Sequence, residues 1–179
     1  MHESFRQEIA HTIKAELKLE FPNVPGEKLT FLFESLLLLA KEIDEPSYES
    51  ANLILKGWNE FSIKHGYEVF DNVRNILNNE TRILFEEKKP NLRSYILESD
   101  PDILAAELIE SISTKPYYTQ VYKDVISSNE VYELTTKSLQ LIKRFCVLLG
   151  LPAEALLNNV NPSTSERFLK ATRDISAEL

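Results

Sequence analysis

Apolar residues return every three or four positions along nearly the whole chain, and this period limits what it can fold into more than any other feature. In "LTFLFESLLLLA", residues 29–40, Leu29, Phe33, Leu36 and Ala40 follow the spacing of one helical face. No segment competes with the strict alternation of a half-buried strand. The 179 residues include only four glycines, too few for the many tight turns of an all-β protein or for a Gly-rich phosphate cradle. The chain therefore reads as all-α, a multi-helix bundle of roughly eight to ten helices in irregular, orthogonal packing.

Capping residues and breakers punctuate that pattern. Helices are predicted over about 3–20, 26–43, 47–65, 67–87 and 92–97, with "FPNVPG", "DEPS", Gly66 and Pro90 as the breaks and a defect at Asn78-Asn79. "SDPD" is a strong start, with Asp100 or Ser99 as the cap and Pro101 in the first turn, for a helix running to about residue 113. Pro116 opens a tyrosine-rich helix to residue 126. Ser127 and Glu130 have capping-box spacing ahead of the longest helix, about 128–149. Gly150 caps it, Pro152 opens a short helix, and Ser163 with Glu166 forms a second capping box before a last helix carrying Phe168, Thr172 and Ile175. There is no repeat and no linker. We expect one domain over residues 1–179, with 98–101 as the best candidate for a subdomain seam.

Charge removes some functions. The net charge is −8, which repels phosphate backbones and argues against a nucleic-acid partner, while a basic protein partner would be attracted. The one cysteine, Cys146, is read as a buried thiol. It allows neither an internal disulfide nor a Cys-based zinc site, which fits a reducing, cytoplasmic setting. The opening "MHESFRQEIA" has no apolar core of a signal peptide. The most apolar stretch is twelve residues long and carries Glu34, whereas a membrane span needs about 20, so no membrane partner is expected.

The histidines invite chemistry that their spacing does not support. Arg6 and His11 share the R-x4-H spacing of some helical ribonucleases, but residues five apart on a helix are about 140° apart and do not converge. Glu8 and His11 have the E-x-x-H spacing of a ferritin-like di-iron half-site, but position 62, three before His65, is serine, so the second half-site is absent. No metal or cofactor is expected. His65 shares a face with Ala51, Ile54, Trp58 and Phe61, at a helix C-terminus where the dipole favours a cation. Trp58 and His65 are thus the candidate residues for a ligand pocket, with Gly57 beside them able to admit a close approach. The segment around Gly150 resembles the helix corner of phage-repressor-type domains, but the helix after it has no lysine or arginine to read DNA.

Two features point to partners instead. Tyr117, Tyr118 and Tyr122 crowd one short segment, and tyrosines are common in recognition surfaces. In the helix over 26–43, Leu29, Phe33, Leu36, Ala40 and Ile43 make one buried face. Phe31 and Leu38 lie opposite as a second apolar seam, which belongs either inside the domain or against another chain of a homo-oligomer. The functional expectation is a non-enzymatic interaction or regulatory protein that binds a partner. The alternative is a small helical enzyme or ligand-binding bundle built near Trp58 and His65.

Overall fold

The computed structural model describes residues 17–18, 21–150 and 158–178. Among them are eight α-helices and no strand: α1 Gly26–Ile43, α2 Glu45–His65, α3 Tyr67–Glu87, α4 Leu92–Glu98, α5 Pro101–Thr114, α6 Gln120–Ile126, α7 Asn129–Gly150 and α8 Pro162–Ser176. A 3-10 turn, Lys89–Asn91, joins α3 to α4. The all-α bundle expected from the apolar period is the observed fold. Arg6, Glu8 and His11, and the short helix opened by Pro152, lie outside the described residues.

α1 and α8 run antiparallel, and their polar pairs show it, since the residue numbers rise along α8 as they fall along α1. Glu42 near the end of α1 accepts from the Asn161 amide at 2.7 Å and from the Thr164 hydroxyl at 2.6 Å, at the start of α8. Glu34 meets Arg167 at 2.7 Å, and Lys28 near the start of α1 pairs with Glu178. Beneath these pairs, Leu29, Leu32, Phe33, Leu36, Leu39 and Ala40 of α1 are buried, as are Phe168, Ala171 and Ile175 of α8. Each leucine, phenylalanine and isoleucine among them contributes roughly 1.5–3 kcal/mol by leaving water, and the two alanines much less. α1 also packs against α2 and α7. Ile43, expected in this face, is instead 40% exposed: it is the last residue of α1, and the chain turns there at Asp44, which is buried and paired to Arg144.

α2 and α7 cross tightly, and each feeds two apolar clusters. Ala51 and Ile54 of α2 and Leu139, Leu141, Ile142, Phe145, Cys146 and Leu148 of α7 join the cluster built on α1. Leu55 and Phe61 of α2 and Val131 and Leu134 of α7 join a second cluster with Phe70, Val73 and Leu77 of α3 and Leu108 and Ile112 of α5. Trp58 packs against both. Gly57 sits at the crossing: a Cβ there would lie 2.5 Å from a Leu134 methyl, so the close approach it admits is a neighbouring helix rather than a ligand.

Several local expectations are corrected. α3 passes through Asn78-Asn79 without a defect, because the Asn79 side chain turns outward and accepts from Arg82 at 3.0 Å instead of competing for backbone groups. The cap of α7 is Ser128, whose hydroxyl accepts from the Val131 amide at 3.3 Å, while Ser127 pairs with Ser113 at 2.7 Å. The cap of α8 is Asn161, which accepts from the Ser163 amide at 2.9 Å. Asp100 does cap α5, accepting from the Asp102 amide at 2.8 Å.

Candidate functional site

The tyrosine-rich segment is not a helix from Pro116. Residues 115–119 form an irregular turn, and α6 begins only at Gln120. The reason is a buried carboxylate on α3. The apolar stripe of that helix, Phe70, Val73 and Leu77, continues at the next i+3 position with Glu80, which is 3% exposed. A charge in that position must be matched by donors. Lys115 forms an ion pair with Glu80 Oε2, the Tyr118 hydroxyl donates to Oε1 at 2.8 Å, and the Tyr117 hydroxyl donates to the same oxygen at 3.3 Å. Adjacent helical side chains point about 100° apart, so the turn lets the neighbouring Tyr117 and Tyr118 hydroxyls both reach the carboxylate that Lys115 pairs with.

The electrostatics follow from that geometry. Burial acts to raise the Glu80 pKa, but the hydrogen bonds from Lys115 and Tyr118, with the lysine charge, outweigh it and hold the carboxyl below its usual range. Burial acts to lower the Lys115 pKa, and the bonds to Glu80 and Tyr117 more than reverse it. Tyr118 is pushed well above the ordinary phenol value by burial and by the adjacent carboxylate. The cluster is therefore a fixed, ionised anchor. Tyr122, in the first turn of α6, accepts from the Asn72 side-chain amide at 2.7 Å, which ties this helix to α3 as well.

What the anchor holds outward is apolar. Tyr117 is 66% exposed although its hydroxyl reaches Glu80, and Val121 is 63% exposed. Pro116, Thr119 and Gln120 are also exposed. Tyr117, Tyr118 and Tyr122 are thus brought together with different roles: Tyr118 as an anchor, Tyr122 as a tie to α3, Tyr117 as the exposed member. Glu80 and Lys115 escaped the sequence reading. The one signal was an acid in register with the apolar stripe of α3.

At the other candidate site, the Trp58 ring meets Phe61 and Phe70 edge-on, with centroids 5.6 and 5.7 Å away. The His65 ring lies 4.4 Å from Phe61, and its Nε2 is 3.1 Å from Glu130 Oε2. Lys64 reaches the same oxygen at 3.4 Å. Glu130, expected to close a capping box, thus serves His65 and Lys64 instead. Phe31 is half-buried on α1, with the Arg167 guanidinium 4.9 Å and the Lys170 ammonium 5.8 Å from its ring centroid. Leu38 is 40% exposed. The two members of the expected seam therefore differ, Phe31 lying under α8 and Leu38 partly open.

Cys146 is buried. Among the described residues no group of three or more His, Cys, Asp or Glu side chains is placed to hold a metal ion, and no helix is long and apolar enough to cross a membrane. Compared with known proteins, the chain matches no family model, no curated protein and no solved structure.

Proposed function

We propose that this chain is a non-enzymatic, regulatory protein of the cytoplasm that works by binding a protein partner through the surface over residues 116–121, the turn and the start of α6. The observation that carries the reading is the pairing of exposure with anchorage. Tyr117 offers a ring 66% exposed to solvent on a backbone whose neighbouring side chains are fixed to a buried carboxylate. Exposed aromatic groups on a pre-ordered backbone lose little entropy on binding, which is why tyrosine recurs among the residues that dominate interface energy. The net charge of −8 favours a basic partner and disfavours nucleic acid.

The competing reading, a ligand site at Trp58 and His65, has less support. The Trp58 ring is already met by Phe61 and Phe70, and His65 is engaged with Glu130.

The test compares the wild-type chain with Tyr117→Ala and Val121→Asp in affinity capture from the source cell, with melting curves of all three. Partners retained by the wild type and lost from both variants, with melting temperatures lowered by no more than about 4 °C, are the expected result. Equal capture by all three would overturn the assignment of the turn.

A further inference from the structure

The outward face of α2 carries a second pattern. Glu49, Leu53, Lys56, Glu60 and Ile63 are all exposed, and they follow one another at spacings of four, three, four and three. At about 100° per residue they fall within a band about 80° wide. Leu53 is 59% exposed and Ile63 is 65% exposed. The inward side of the same helix, with Ala51, Ile54, Leu55 and Phe61, already fills the core. Alternating threes and fours make the narrow seam of a helix that pairs with one other helix, and here that seam faces away from the molecule.

The chemistry of the seam is symmetric about position 58. Two residues to either side stand Lys56 and Glu60, and five to either side stand Leu53 and Ile63. When two copies of a helix pair antiparallel across a twofold axis, each residue before the centre meets its mirror position on the partner. Lys56 of one copy then faces Glu60 of the other, and Leu53 faces Ile63, and each contact occurs twice. Within one copy Lys56 and Glu60 lie 4.0 Å apart with side chains 71% and 64% exposed, an open pair free to exchange partners. We infer that α2 is a self-association seam, on which a second copy of this chain docks antiparallel through Leu53, Lys56, Glu60 and Ile63. The opposite charges fix both orientation and register, since a parallel pairing in register would set lysine on lysine. Four layers span about 15 Å at 1.5 Å per residue. That is short of what a standard interface of about 1,600 Å² requires, so the dimer is weak and depends on concentration.

Charge exchange tests the arrangement against any other occupant. Sedimentation equilibrium of the full chain, from micromolar to submillimolar concentration, should show the wild type passing from monomer to dimer. Lys56→Glu alone and Glu60→Lys alone should each weaken dimerisation at least tenfold, with circular dichroism unchanged because both positions are exposed. An equimolar mixture of these two variants should associate again, since each acid then meets a lysine on the other chain. The double exchange Lys56→Glu, Glu60→Lys should also restore the dimer. A wild type that stays monomeric throughout, or a mixture no better than its separate components, would overturn the inference. The second outcome would mean that the seam meets something other than itself.

Discussion

Tyr118→Phe is the sharpest probe of the anchored turn, because it removes one hydroxyl and leaves the ring to pack as before. The bond lost is 2.8 Å long and ends on a carboxylate that is 3% exposed. Hydrogen bonds to charged groups contribute about 1.5–3 kcal/mol, so a loss of roughly 2 kcal/mol is expected. For a chain of this size each kcal/mol moves Tm by about 2–4 °C, which gives a fall of about 4–8 °C. Lys115→Met is expected to cost more, roughly 3 kcal/mol. It leaves Glu80 without a counter-charge, the situation that costs about 3–5 kcal/mol in a fully buried pair, and the lysine side chain here keeps 25% of its surface in water. Tyr117→Phe should cost less than about 1 kcal/mol, since its bond is 3.3 Å long and the residue is mostly exposed.

The assay is urea unfolding followed by far-ultraviolet circular dichroism and by emission of Trp58, the one tryptophan, which packs against both apolar clusters. The loss of stability is expected to be largest for Lys115→Met, smaller for Tyr118→Phe and smallest for Tyr117→Phe. If the first two changes each shift stability by less than about 0.5 kcal/mol, as surface substitutions do, Glu80 is not buried with these partners and the anchor does not exist.

The same cluster sets the pH response. The folded Glu80 pKa lies below its ordinary 4.5, so its stabilisation is complete above that pH and is lost as pH falls through the folded value. The folded pKa values of Lys115 and Tyr118 are raised above 10.5 and 10.0, so their contribution is complete below pH 10.0 and is lost as pH rises. A Glu80→Leu variant should therefore show a flatter fall of Tm on both sides. Gly57→Ala would gain about 1 kcal/mol from helix propensity alone, but the new methyl group meets Leu134 at 2.5 Å in a packed core. Overpacking costs about 1–3 kcal/mol, so calorimetry should show a net loss rather than a gain. Gly66 adopts φ 89° and ψ 155°, a region open essentially to glycine, and Gly66→Ala should lower stability by about 1–3 kcal/mol in the same measurement.

The helices were legible because one period, read along one segment, suffices for them. α1 and α3 fall at the residues where Pro25, Gly66 and the charged "EEKKP" loop interrupt the pattern. Caps were less legible, since Ser127 and Ser128 both fit the start of α7, and only the pairing of Ser127 with Ser113, fourteen positions away, releases Ser128 for the Val131 amide. Gly57 stands out in its helix, but its partner Leu134 lies on a distant helix that no local period names.

The tyrosine turn shows why local reading fails where function is proposed. Taken alone, "KPYYTQVYKDV" has a proline where helices start, and apolar spacing at Tyr118, Tyr122 and Val125, so a helix from Pro116 is the natural inference. What overrides it is Glu80, 35 residues earlier in the chain from Lys115. A carboxylate in the buried stripe of α3 is too costly to leave unmatched, and the nearest donors are brought to it by unwinding one turn of the following segment. The cost of that unwinding is one short stretch of helical hydrogen bonds, each worth about 1 kcal/mol net. The gain is an ion pair and two hydrogen bonds to a buried charge. An acid in register with an apolar helical stripe is therefore a reason to look for distant donors. Here the consequence of finding them is a turn that holds Tyr117 in water.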